Sequence, residues 1–490
     1  MFVSPAVQAD PFREVMSTPI PLCVDLDGTL LQTDTLLESF LILLKESPLA
    51  FFQIPLWLLH GRAHLKQELA NRVTLNVDSL PWNTELLEFL RKERQSGRRL
   101  ILVTGSNQRI GRAVAEHIGL FEEVAASDGK VNLSGRRKAR MLVDRFGKGG
   151  FDYAGNEHVD LAVWTEARRA IVVNHSARFA RRVEELCELE MVIRPPKSGP
   201  GVWLRALRFH QWAKNLLIFV PLLGAHQWHN LSKLAAAMLA FFVFSICASS
   251  VYLLNDLFDL EADRRHARKR HRPFASGRLT LRAGMIGAPL LLLASVLPAL
   301  LLPPAFVMTF AGYYLLTLLY SLRFKQLEIL DVLTLAGLYS IRVVAGGHAA
   351  QVAVSDWLLV FSLFFFLSLA FVKRFTELQL VLRGNNDRVP GRGYRVGDLE
   401  LVGAMGVASG YLAVLVLAIY ITNPVVTQLY ANPAALWFAC PVLLYWISRV
   451  WLLAHRGLLH DDPIVFALKD KLSWLICLIL FIIGAIALPK

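Results

Sequence analysis

The stretch "SSVYLLNDLFDLEADRRHARKRHRPFASG", Ser249 to Gly277, places an apolar helix, several carboxylates and a dense basic run in immediate succession. Carboxylates at the end of a membrane-length helix are expensive to bury, so they usually mark a functional site. On a helix, Asp256, Asp259 and Asp263 share one face because their spacing is three and four residues, and Asn255 adjoins them. We therefore predict a membrane helix that ends in a cluster of oxygen ligands.

The chemistry predicted for this cluster is magnesium binding. Carboxylate oxygens are hard ligands that suit Mg²⁺, which keeps several waters and bridges to substrate phosphates. Arg264 and Arg272 in the basic run would then hold the anionic ends of a pyrophosphate. The alternative is a plain helix end, with acids and bases in solvent and no ligand.

The composition indicates a membrane protein with a separate polar domain. The chain has 490 residues, of which 54% are hydrophobic, and a mean hydropathy of +0.44. Charged and apolar runs alternate in the first part, whereas long uncharged blocks recur after Asn215. We place the boundary in "RPPKSGPG", so the domains span 1–200 and 201–490.

The second domain is predicted to be all-α and polytopic, with about nine transmembrane helices. The candidates are 213–230, 232–255, 281–301, 304–321, 328–349, 354–375, 399–421, 432–453 and 471–488. The basic connections after the second and sixth candidates predict a cytoplasmic side. The N-terminus lacks the pattern of a signal peptide, so the first domain is expected in the cytosol and the chain in the inner (cytoplasmic) membrane.

Charge and cysteine content argue against nucleic-acid binding, a disulfide framework and a zinc site. The net charge is +13, but the basic residues lie beside the apolar blocks, which indicates membrane topology and argues against nucleic acid. The five cysteines show no CxxC spacing, so neither a disulfide framework nor a zinc site is indicated. Whether the chain forms a homo-oligomer is left open by the sequence.

The pattern NDxxDxxxD resembles the first signature of the UbiA family of membrane prenyltransferases, and the resemblance covers about Val202 to Pro489. It implies a nine-helix fold that binds a polyprenyl substrate and a magnesium pyrophosphate group. The family's second signature here reads "YSLRFKQLEILDVLTLAGLYSIRVVAGG". Its polar members are Tyr320, Lys325, Asp331 and Arg342. The resemblance implies catalytic roles for Asp256, Asp259, Lys325 and Asp331.

Within this family, the chain is most similar to the branch that transfers phosphoribose onto a polyprenyl phosphate. The second signature holds one aspartate, where many aromatic-prenylating members carry two or three at four-residue spacing. The segments "QWAKNLLIFVPLL", "RPFASG" and "KRFTEL" carry the resemblance to the branch. Polar residues that would contact phosphoribosyl pyrophosphate or the lipid phosphate are Gln211, Lys214, Asn215, Lys373 and Arg374. The alternative for these five is a role as snorkelling anchors and interface polar groups.

A second pair of carboxylates follows an apolar, β-rich run near the N-terminus, "IPLCVDLDGTLLQ". Asp25 and Asp27 come directly after this strand, which places them at the carboxyl edge of a parallel sheet. A second strand, "RRLILVTGS", ends near Thr104, and Lys138 opens a helix in "SGRRKARMLVDRFG". We therefore predict a Rossmann-like α/β domain with polar side chains gathered at one edge.

The order of these motifs, followed by "FDYAGNEHVDLAVW", resembles the haloacid dehalogenase superfamily of phosphohydrolases. The resemblance implies an aspartyl-phosphate nucleophile, a general acid and base, a phosphate-oxygen ligand and a charge-compensating lysine, which are Asp25, Asp27, Thr104 and Lys138 respectively. It also implies a magnesium site made by Asp25, Asp27, Asn156 and Asp160. Asn156 stands where the family usually has aspartate, so a degenerate, non-catalytic domain is the alternative.

A helical insert at about 34–93 occupies the position of a cap over this site. Its run Leu49 to Leu59 is too short to span a bilayer and too apolar for a freely exposed cap. We predict that it lies against the bilayer or the membrane domain; the alternative is a packed cap core.

These patterns predict a membrane transferase that moves 5-phosphoribose from phosphoribosyl pyrophosphate to a polyprenyl phosphate and releases pyrophosphate. The fused phosphatase-like domain would remove the 5-phosphate. Two alternatives remain at this point: transfer of a prenyl chain from its diphosphate to an aromatic or other small acceptor, and a non-enzymatic transporter in which the acidic cluster couples ions. Mg²⁺ is the expected cofactor of both enzymatic domains.

Overall fold

The computed structural model describes residues 20–195, 199–266, 268–384, 387, 389, 391–423, 430–459 and 463–487. The chain forms two compact units. The first comprises the chain up to Gly199 together with Asp263–Arg282, and the second comprises Pro200–Ala262 together with the chain from Ala283 onward. The basic segment that sequence patterns place within the membrane domain therefore groups with the first unit.

The first unit is built on one six-stranded, wholly parallel sheet in the order β3-β2-β1-β4-β5-β6. Its strands are β1 (Leu22–Val24), β2 (Leu100–Asn107), β3 (Glu123–Ser127), β4 (Asp152–Gly155), β5 (Arg169–Val173) and β6 (Glu188–Ile193). The order changes direction at β1, so chain segments after β1 and its neighbours meet at the same edge. The predicted α/β fold is confirmed.

Eight helices connect or cover these strands. They are α1 (Thr35–Glu46), α2 (Ile54–Leu59), α3 (Arg62–Arg72), α4 (Thr84–Gln95), α5 (Gln108–Ile118), α6 (Arg136–Phe146), α7 (Leu161–Trp164) and α8 (Ala177–Glu184). The first three, with a 3₁₀ helix at Pro48–Gln53, form the cap insert between β1 and β2. The cap has its own small core of Leu43, Ala50, Trp57, Leu69 and Val73.

Alternation along the strands divides the core of the first unit into two layers, because successive side chains point to opposite faces of a sheet. Leu22 and Val24 of β1 pack into one cluster, and Cys23 between them packs into the other. All three are fully buried, as expected for a strand in the centre of a parallel sheet covered on both faces. This covered sheet is the rigid support for the polar residues at its carboxyl edge.

The second unit is helical. Its elements begin with α9 (Pro200–Leu207), a 3₁₀ helix (Phe209–Phe219) and α10 (Val220–Gly224), and continue with α11 (Leu231–Phe258), α12 (Leu260–Arg265, which passes into the first unit), α13 (Leu281–Ala299), α14 (Pro304–Leu322), α15 (Leu330–Ala350), α16 (Asp356–Arg383), α17 (Leu399–Thr422), α18 (Ala439–His455), α19 (Pro463–Lys469) and α20 (Lys471–Ala487). Within the described residues, seven helical segments are long and apolar enough to cross a membrane. They are Leu231–Phe258, Leu281–Ala299, Pro304–Leu322, Leu330–Ala350, Asp356–Arg383, Val396–Thr422 and Pro433–His455.

Within the described residues, the other two of the nine predicted spans are shorter than these seven. The first candidate is a 3₁₀ helix of 11 residues followed by a five-residue α-helix that begins at Val220 and has Pro221 in its first turn. The proline ring has no amide hydrogen to donate, so it favours a new helix start over continuation. The last candidate, Lys471–Ala487, has 17 described residues and is strongly apolar.

The acidic helix end differs from the prediction. The helix α11 ends at Phe258, and Asp259 has the non-helical angles φ −103° and ψ 15° before α12 begins at Leu260. The prediction that Asp263 continues the same helix face is therefore wrong. The prediction assumes an unbroken helix from Asp256 to Asp263. The helix is instead broken at Asp259, whose carboxylate pairs with Lys325.

Candidate active sites

Polar residues from four segments meet at the carboxyl edge of the sheet in the first unit. Asp25 follows β1, and the helix α6 brings in Lys138, whose Nζ lies 2.8 Å from Asp25 Oδ1. Asp160 lies in the 3₁₀ turn after β4, and its Oδ1 is 3.8 Å from the same nitrogen. The hydroxyl of Tyr153 donates to Asp160 and accepts from Lys138, at 2.8 Å each. All four side chains are buried, so a single positive charge holds two carboxylates together.

Asp27 is fixed at the entrance of the cap. Its Oδ1 accepts from the backbone N–H of Thr35, at 2.7 Å, and its Oδ2 accepts from the hydroxyl of Ser106. Ser106 also forms a 2.7 Å hydrogen bond with the hydroxyl of Thr35. Thr104, fully buried within β2, accepts from the backbone N–H of Ser106 at 2.9 Å. This network holds Asp27 between the first turn of α1 and the end of β2.

Asn156 packs directly on the loop after Asp25. Gly28 has φ +73°, and a Cβ there would lie 2.0 Å from Nδ2 of Asn156. Only glycine allows both this backbone conformation and this contact. The Oδ1 of Asn156 accepts from the hydroxyl of Thr29 at 3.1 Å. Asn156 is therefore packed against the loop that carries Asp25 and Asp27 at the carboxyl edge of the sheet.

The electrostatics of this edge favour a cation. The pKa of Asp25 is raised to about 7, mainly by burial; the nearby charges of Asp160 and Asp27 also raise it, and Lys138 opposes them. Burial is also the main cause of the raised pKa of Asp27. Carboxylates that repel one another in a buried site are the environment in which a divalent cation is stabilising.

The oxygen donors present fit Mg²⁺ at this edge. Asp25, Asp160 and Asn156 offer carboxylate and amide oxygens, which are the ligands that Mg²⁺ prefers alongside waters and substrate oxygens. Among the described residues, no three His, Cys, Asp or Glu side chains converge as a metal-holding group. Bound Mg²⁺ would therefore depend on the amide oxygen, water and the substrate phosphate to complete its shell.

The cap reaches this edge through α3. Nζ of Lys66 donates to the backbone carbonyl of Gly105 at 2.5 Å and to Asn132 Oδ1 at 2.9 Å. Burial lowers the pKa of Lys66, while the carboxylates of Asp27 and Asp34 act in the opposite direction. A partly buried ammonium group therefore stands beside the strand segment that carries Thr104.

In the second unit, the acidic end of α11 is paired with cations. Asp256 is 2% exposed and accepts from Arg208. Both oxygens of Asp259 accept from Nζ of Lys325, at 3.1 and 2.9 Å. The backbone carbonyl of half-buried Asn255 accepts from the N–H of Asp259 at 3.0 Å. The donor set again consists of hard oxygens suited to Mg²⁺, with cations beside it that suit a polyphosphate.

Asp331 belongs to a buried ion-pair network. Nε of Arg374 donates to Asp331 at 2.5 Å, and the hydroxyl of Tyr394 donates to it at 2.8 Å. Arg374 also pairs with Glu377 and lies 3.3 Å from the hydroxyl of Tyr320. Asp331 is 0% and Arg374 1% exposed, so the two charges neutralise each other away from water. Lys373, the neighbour of Arg374, is half-buried.

A third polar group surrounds Arg342. Its Nε donates to Asn215 Oδ1 at 2.7 Å, and its Nη2 donates to the hydroxyl of Tyr313 at 3.0 Å. Asn215 in turn donates to Ser245 at 2.9 Å. The ammonium group of Lys214 lies 5.5 Å from the ring centre of Tyr339, over which the guanidinium of Arg342 also lies at 5.7 Å. The first-helix and second-signature residues thus share one aromatic-lined region.

The basic segment in the first unit holds three further predicted residues, Asp263, Arg264 and Arg272. Asp263 is 2% exposed and its Oδ2 accepts from Nη1 of Arg272 at 2.7 Å. Arg264 donates to both carboxylate oxygens of Glu38, at 2.9 and 2.6 Å, and from Nε to the carbonyl of Ala275 at 3.2 Å. Arg264 therefore forms an ion pair with Glu38 of α1.

Several residues at these sites were missed by the sequence patterns. Nothing in the local sequence distinguishes Tyr153 from other strand aromatics or Glu38 from other helix acids. Their partners, Asp160 and Arg264, are identified by the tertiary structure. Arg208 stands in the polar flank "RFHQWAKN" ahead of the first candidate span, which was a usable signal. Arg392 lies in a basic loop, and its Nη1 donates to Tyr320 at 3.1 Å and to the carbonyl of Lys325 at 3.3 Å.

Comparison with known proteins assigns the helical unit. Residues 216–468, more than half of the chain, match the UbiA prenyltransferase family. The chain belongs to the UbiA prenyltransferase family. Residues 22–149 match the haloacid dehalogenase-like hydrolase family, so a hydrolase-like domain precedes the UbiA region.

The similar proteins align with different lengths of this UbiA chain. The uncharacterized protein y4nM of Sinorhizobium fredii is 40% identical over 463 residues, covering 93% of this chain and 89% of that protein. Nodulation protein NoeC of Azorhizobium caulinodans is 36% identical over 289 residues, covering 58% of this chain and 92% of that protein. Decaprenyl-phosphate phosphoribosyltransferase of Mycobacterium tuberculosis is 33% identical over 198 residues, covering 40% of this chain and 66% of that protein.

Proposed function

We propose that the UbiA unit transfers 5-phosphoribose from phosphoribosyl pyrophosphate to a polyprenyl phosphate. The observation that carries this proposal is the similarity to decaprenyl-phosphate phosphoribosyltransferases, together with a second signature that holds Asp331 as its one aspartate. In the described structure that aspartate is committed to Arg374 and Tyr394. Asp331 is 0% exposed, whereas the side chain of Asp259 is 26% exposed, so the cluster at Asp256 and Asp259 is the candidate for a magnesium pyrophosphate group.

The residues around that cluster would act on the leaving group. Asp256 and Asp259 would hold Mg²⁺, which neutralises charge on the departing pyrophosphate. Lys325 and Arg208 lie against these carboxylates and would turn to the phosphate oxygens of the substrate. The bond that breaks joins the ribosyl carbon to pyrophosphate, and the bond that forms joins it to an oxygen of the lipid phosphate.

The hydrolase-like unit would act as the phosphatase of the pair. Asp25 is placed to attack a phosphorus atom, and Lys138 lies within 2.8 Å to compensate the developing charge. Asp27, held by Thr35 and Ser106, would protonate the leaving alcohol and then activate water. Mg²⁺ held by Asp25, Asn156 and Asp160 would offset the charge of the phosphate. The proposed substrate is the 5-phosphate of the lipid-linked ribose.

The proposal also includes a location: the UbiA unit lies in the inner membrane, and the first unit lies on its cytoplasmic side. Both substrates carry phosphates that stay in water, while the polyprenyl tail stays in the bilayer. The basic loops predict that the water-soluble donor is bound on the cytoplasmic side. A tethered phosphatase meets its lipid substrate at a raised effective concentration, of millimolar order for short linkers.

Mass spectrometry of the lipid product tests both steps at once. The purified full chain is incubated with phosphoribosyl pyrophosphate, a polyprenyl phosphate and Mg²⁺. The expected product is polyprenyl phosphoribose without the 5-phosphate, and Asp25→Asn should accumulate the 5-phosphorylated lipid. The matched control is Asp128→Asn, an exposed acid of the same unit.

Three other results would change the assignment. Consumption of a prenyl diphosphate with a small aromatic acceptor, in place of phosphoribosyl pyrophosphate, would assign ordinary prenyl transfer. Identical 5-phosphorylated lipids from wild type and Asp25→Asn would leave the transferase standing and refute the coupled phosphatase. Substrate uptake into vesicles without any product would assign a transporter.

A further inference from the structure

Large apolar side chains are exposed in one short segment of the cap. Leu49 is 79%, Phe52 74% and Leu59 82% exposed. Together with Phe51, Leu56 and Leu58, each more than half exposed, they form what we call the cap patch. Elsewhere in the described part of the first unit, the exposed large apolar side chains are Val131, Val159 and Leu186, at 46%, 51% and 40%. Water-soluble surfaces rarely concentrate apolar groups in this way.

The cap patch is the outer side of a folded element. The segment forms the 3₁₀ helix Pro48–Gln53 and then α2, and its inner side buries Ala50 and Trp57. The guanidinium of Arg72 lies 4.4 Å from the ring centre of Trp57 and covers it from the α3 side. These contacts fix which side chains point outward, so the exposure of the patch follows from the packing of the cap.

The occupant that fits the cap patch is a lipid surface. Comparable exposures occur on the candidate membrane helices of the same chain, whose outer side chains would face lipid; Met308 in Pro304–Leu322 is 76% and Leu290 in Leu281–Ala299 is 59% exposed. The patch is a short, interrupted helical segment, too short to span, and such segments lie in the plane of the bilayer interface. Between Leu49 and Leu59 the polar side chain is Gln53, so the patch has few groups that can form hydrogen bonds with water.

A bilayer is within reach of the patch. The segment Asp263–Arg282 connects two candidate spans and is held on the first unit by α1, through Glu38–Arg264 and Asp34–Arg282. The 12-residue α1 then leads directly to Pro48. At a rise of 1.5 Å per residue, α1 is about 18 Å long. The patch therefore lies about one helix length from a segment tethered at both ends to membrane helices.

We propose that the cap patch inserts into the bilayer interface and thereby selects a membrane-anchored phosphate ester as the substrate of the first unit. The helix α3 follows the patch after Gly61 and carries Lys66 to the carbonyl of Gly105, beside the catalytic edge. A cap held in the interface presents this edge to phosphates at the membrane surface. The choice of substrate rests on the proposed phosphatase function, whereas the membrane contact does not.

Spin labelling tests the membrane contact without any activity. A nitroxide is attached at Phe52→Cys in full-length protein reconstituted in nanodiscs, with Cys187, Cys440 and Cys477 changed to Ser. The control position is Lys148→Cys, whose side chain is 71% exposed on the same unit. Inserted at the interface, the label at 52 collides with oxygen more than with a water-soluble nickel complex, and the label at 148 shows the reverse.

Two outcomes would overturn the membrane contact. Equal nickel accessibility at positions 52 and 148 would place the patch in water. Protection of position 52 from both reagents would place it against protein, either the rest of this chain or a second copy.

A substrate comparison tests the selection step. The double variant Phe52→Ser/Leu59→Ser should hydrolyse the lipid-linked phosphate at least tenfold more slowly and water-soluble ribose 5-phosphate at the wild-type rate. Leu186→Ser, a matched apolar-to-polar change away from the patch, should alter neither rate. An equal loss on both substrates, or no loss on either, would overturn the selection. If the wild type hydrolyses no phosphate ester, the proposed phosphatase fails while spin labelling still decides the contact.

Discussion

The two carboxylate oxygens of Glu38 accept from two nitrogens of Arg264, at 2.9 and 2.6 Å, and both side chains are more than nine-tenths buried. The hydroxyl of Thr33 donates to the same carboxylate at 2.6 Å. A bidentate, desolvated guanidinium–carboxylate pair has a fixed geometry. It joins the basic segment that follows the acidic helix end to the helix whose first turn holds Asp27.

Replacing Glu38 by Gln should loosen the basic segment, because buried Arg264 then loses its charge partner. Breaking a buried pair from one side commonly costs about 3–5 kcal/mol. Trypsin cleavage within 263–282, followed by mass spectrometry, should become at least tenfold faster. The control is Asp34→Asn, whose partner Arg282 is 60% exposed and whose amide still caps α1. Equal cleavage of Glu38→Gln and wild type would show that the pair does not hold the segment.

Magnesium binding at the first unit should release protons near pH 6. The pKa of Asp25 is raised to about 7 by burial, so the metal-free site is largely protonated below that pH, and Mg²⁺ requires the carboxylate. Calorimetry in buffers of different ionisation enthalpy measures the protons released. The release should shrink in Asp25→Asn and should fall in wild type as the pH rises above about 7. A release that is the same in both proteins would contradict this assignment.

Asp259→Asn should reduce phosphoribosyl transfer by about 10²–10³-fold, as does the loss of a group that stabilises transition-state charge. The amide keeps the shape of the side chain but not the charge that faces Lys325. Pyrophosphate release at saturating Mg²⁺ is the measurement. Glu261→Gln, an exposed acid in the next helix turn, is the matched control. Near-normal turnover of Asp259→Asn would move the site elsewhere.

Asp331→Asn should lower stability and activity together, because it leaves Arg374 buried with Glu377 as its remaining acidic partner. Tyr394→Phe removes a hydrogen bond to the same carboxylate and another from the backbone N–H of Ile329, and should cost about 2 kcal/mol. Thermal unfolding in detergent, measured beside turnover, separates the two roles. Loss of turnover in a normally stable Asp331→Asn protein would make the carboxylate catalytic and not structural.

Local patterns predicted the fold class of each domain and most of the membrane helices. Asp25 follows an apolar strand, and in a parallel sheet the carboxyl ends of strands share an edge, so its meeting with Asp160 follows from chain order alone. Long uncharged blocks predict membrane helices because hydrocarbon leaves the backbone no alternative partners. Seven of the predicted spans are full-length helices within the described residues.

The sequence by itself determined the two fold classes and the motif order, since these depend on periodicity and burial. Tertiary structure decided which partner each charge takes. Arg264 pairs with Glu38, 226 residues away in the chain, and Asp259 with Lys325, 66 residues away, at a helix break that no local propensity predicted. A charge in a desolvated place is stabilised by whichever opposite charge the fold brings within contact distance, and that choice is not encoded in neighbouring residues.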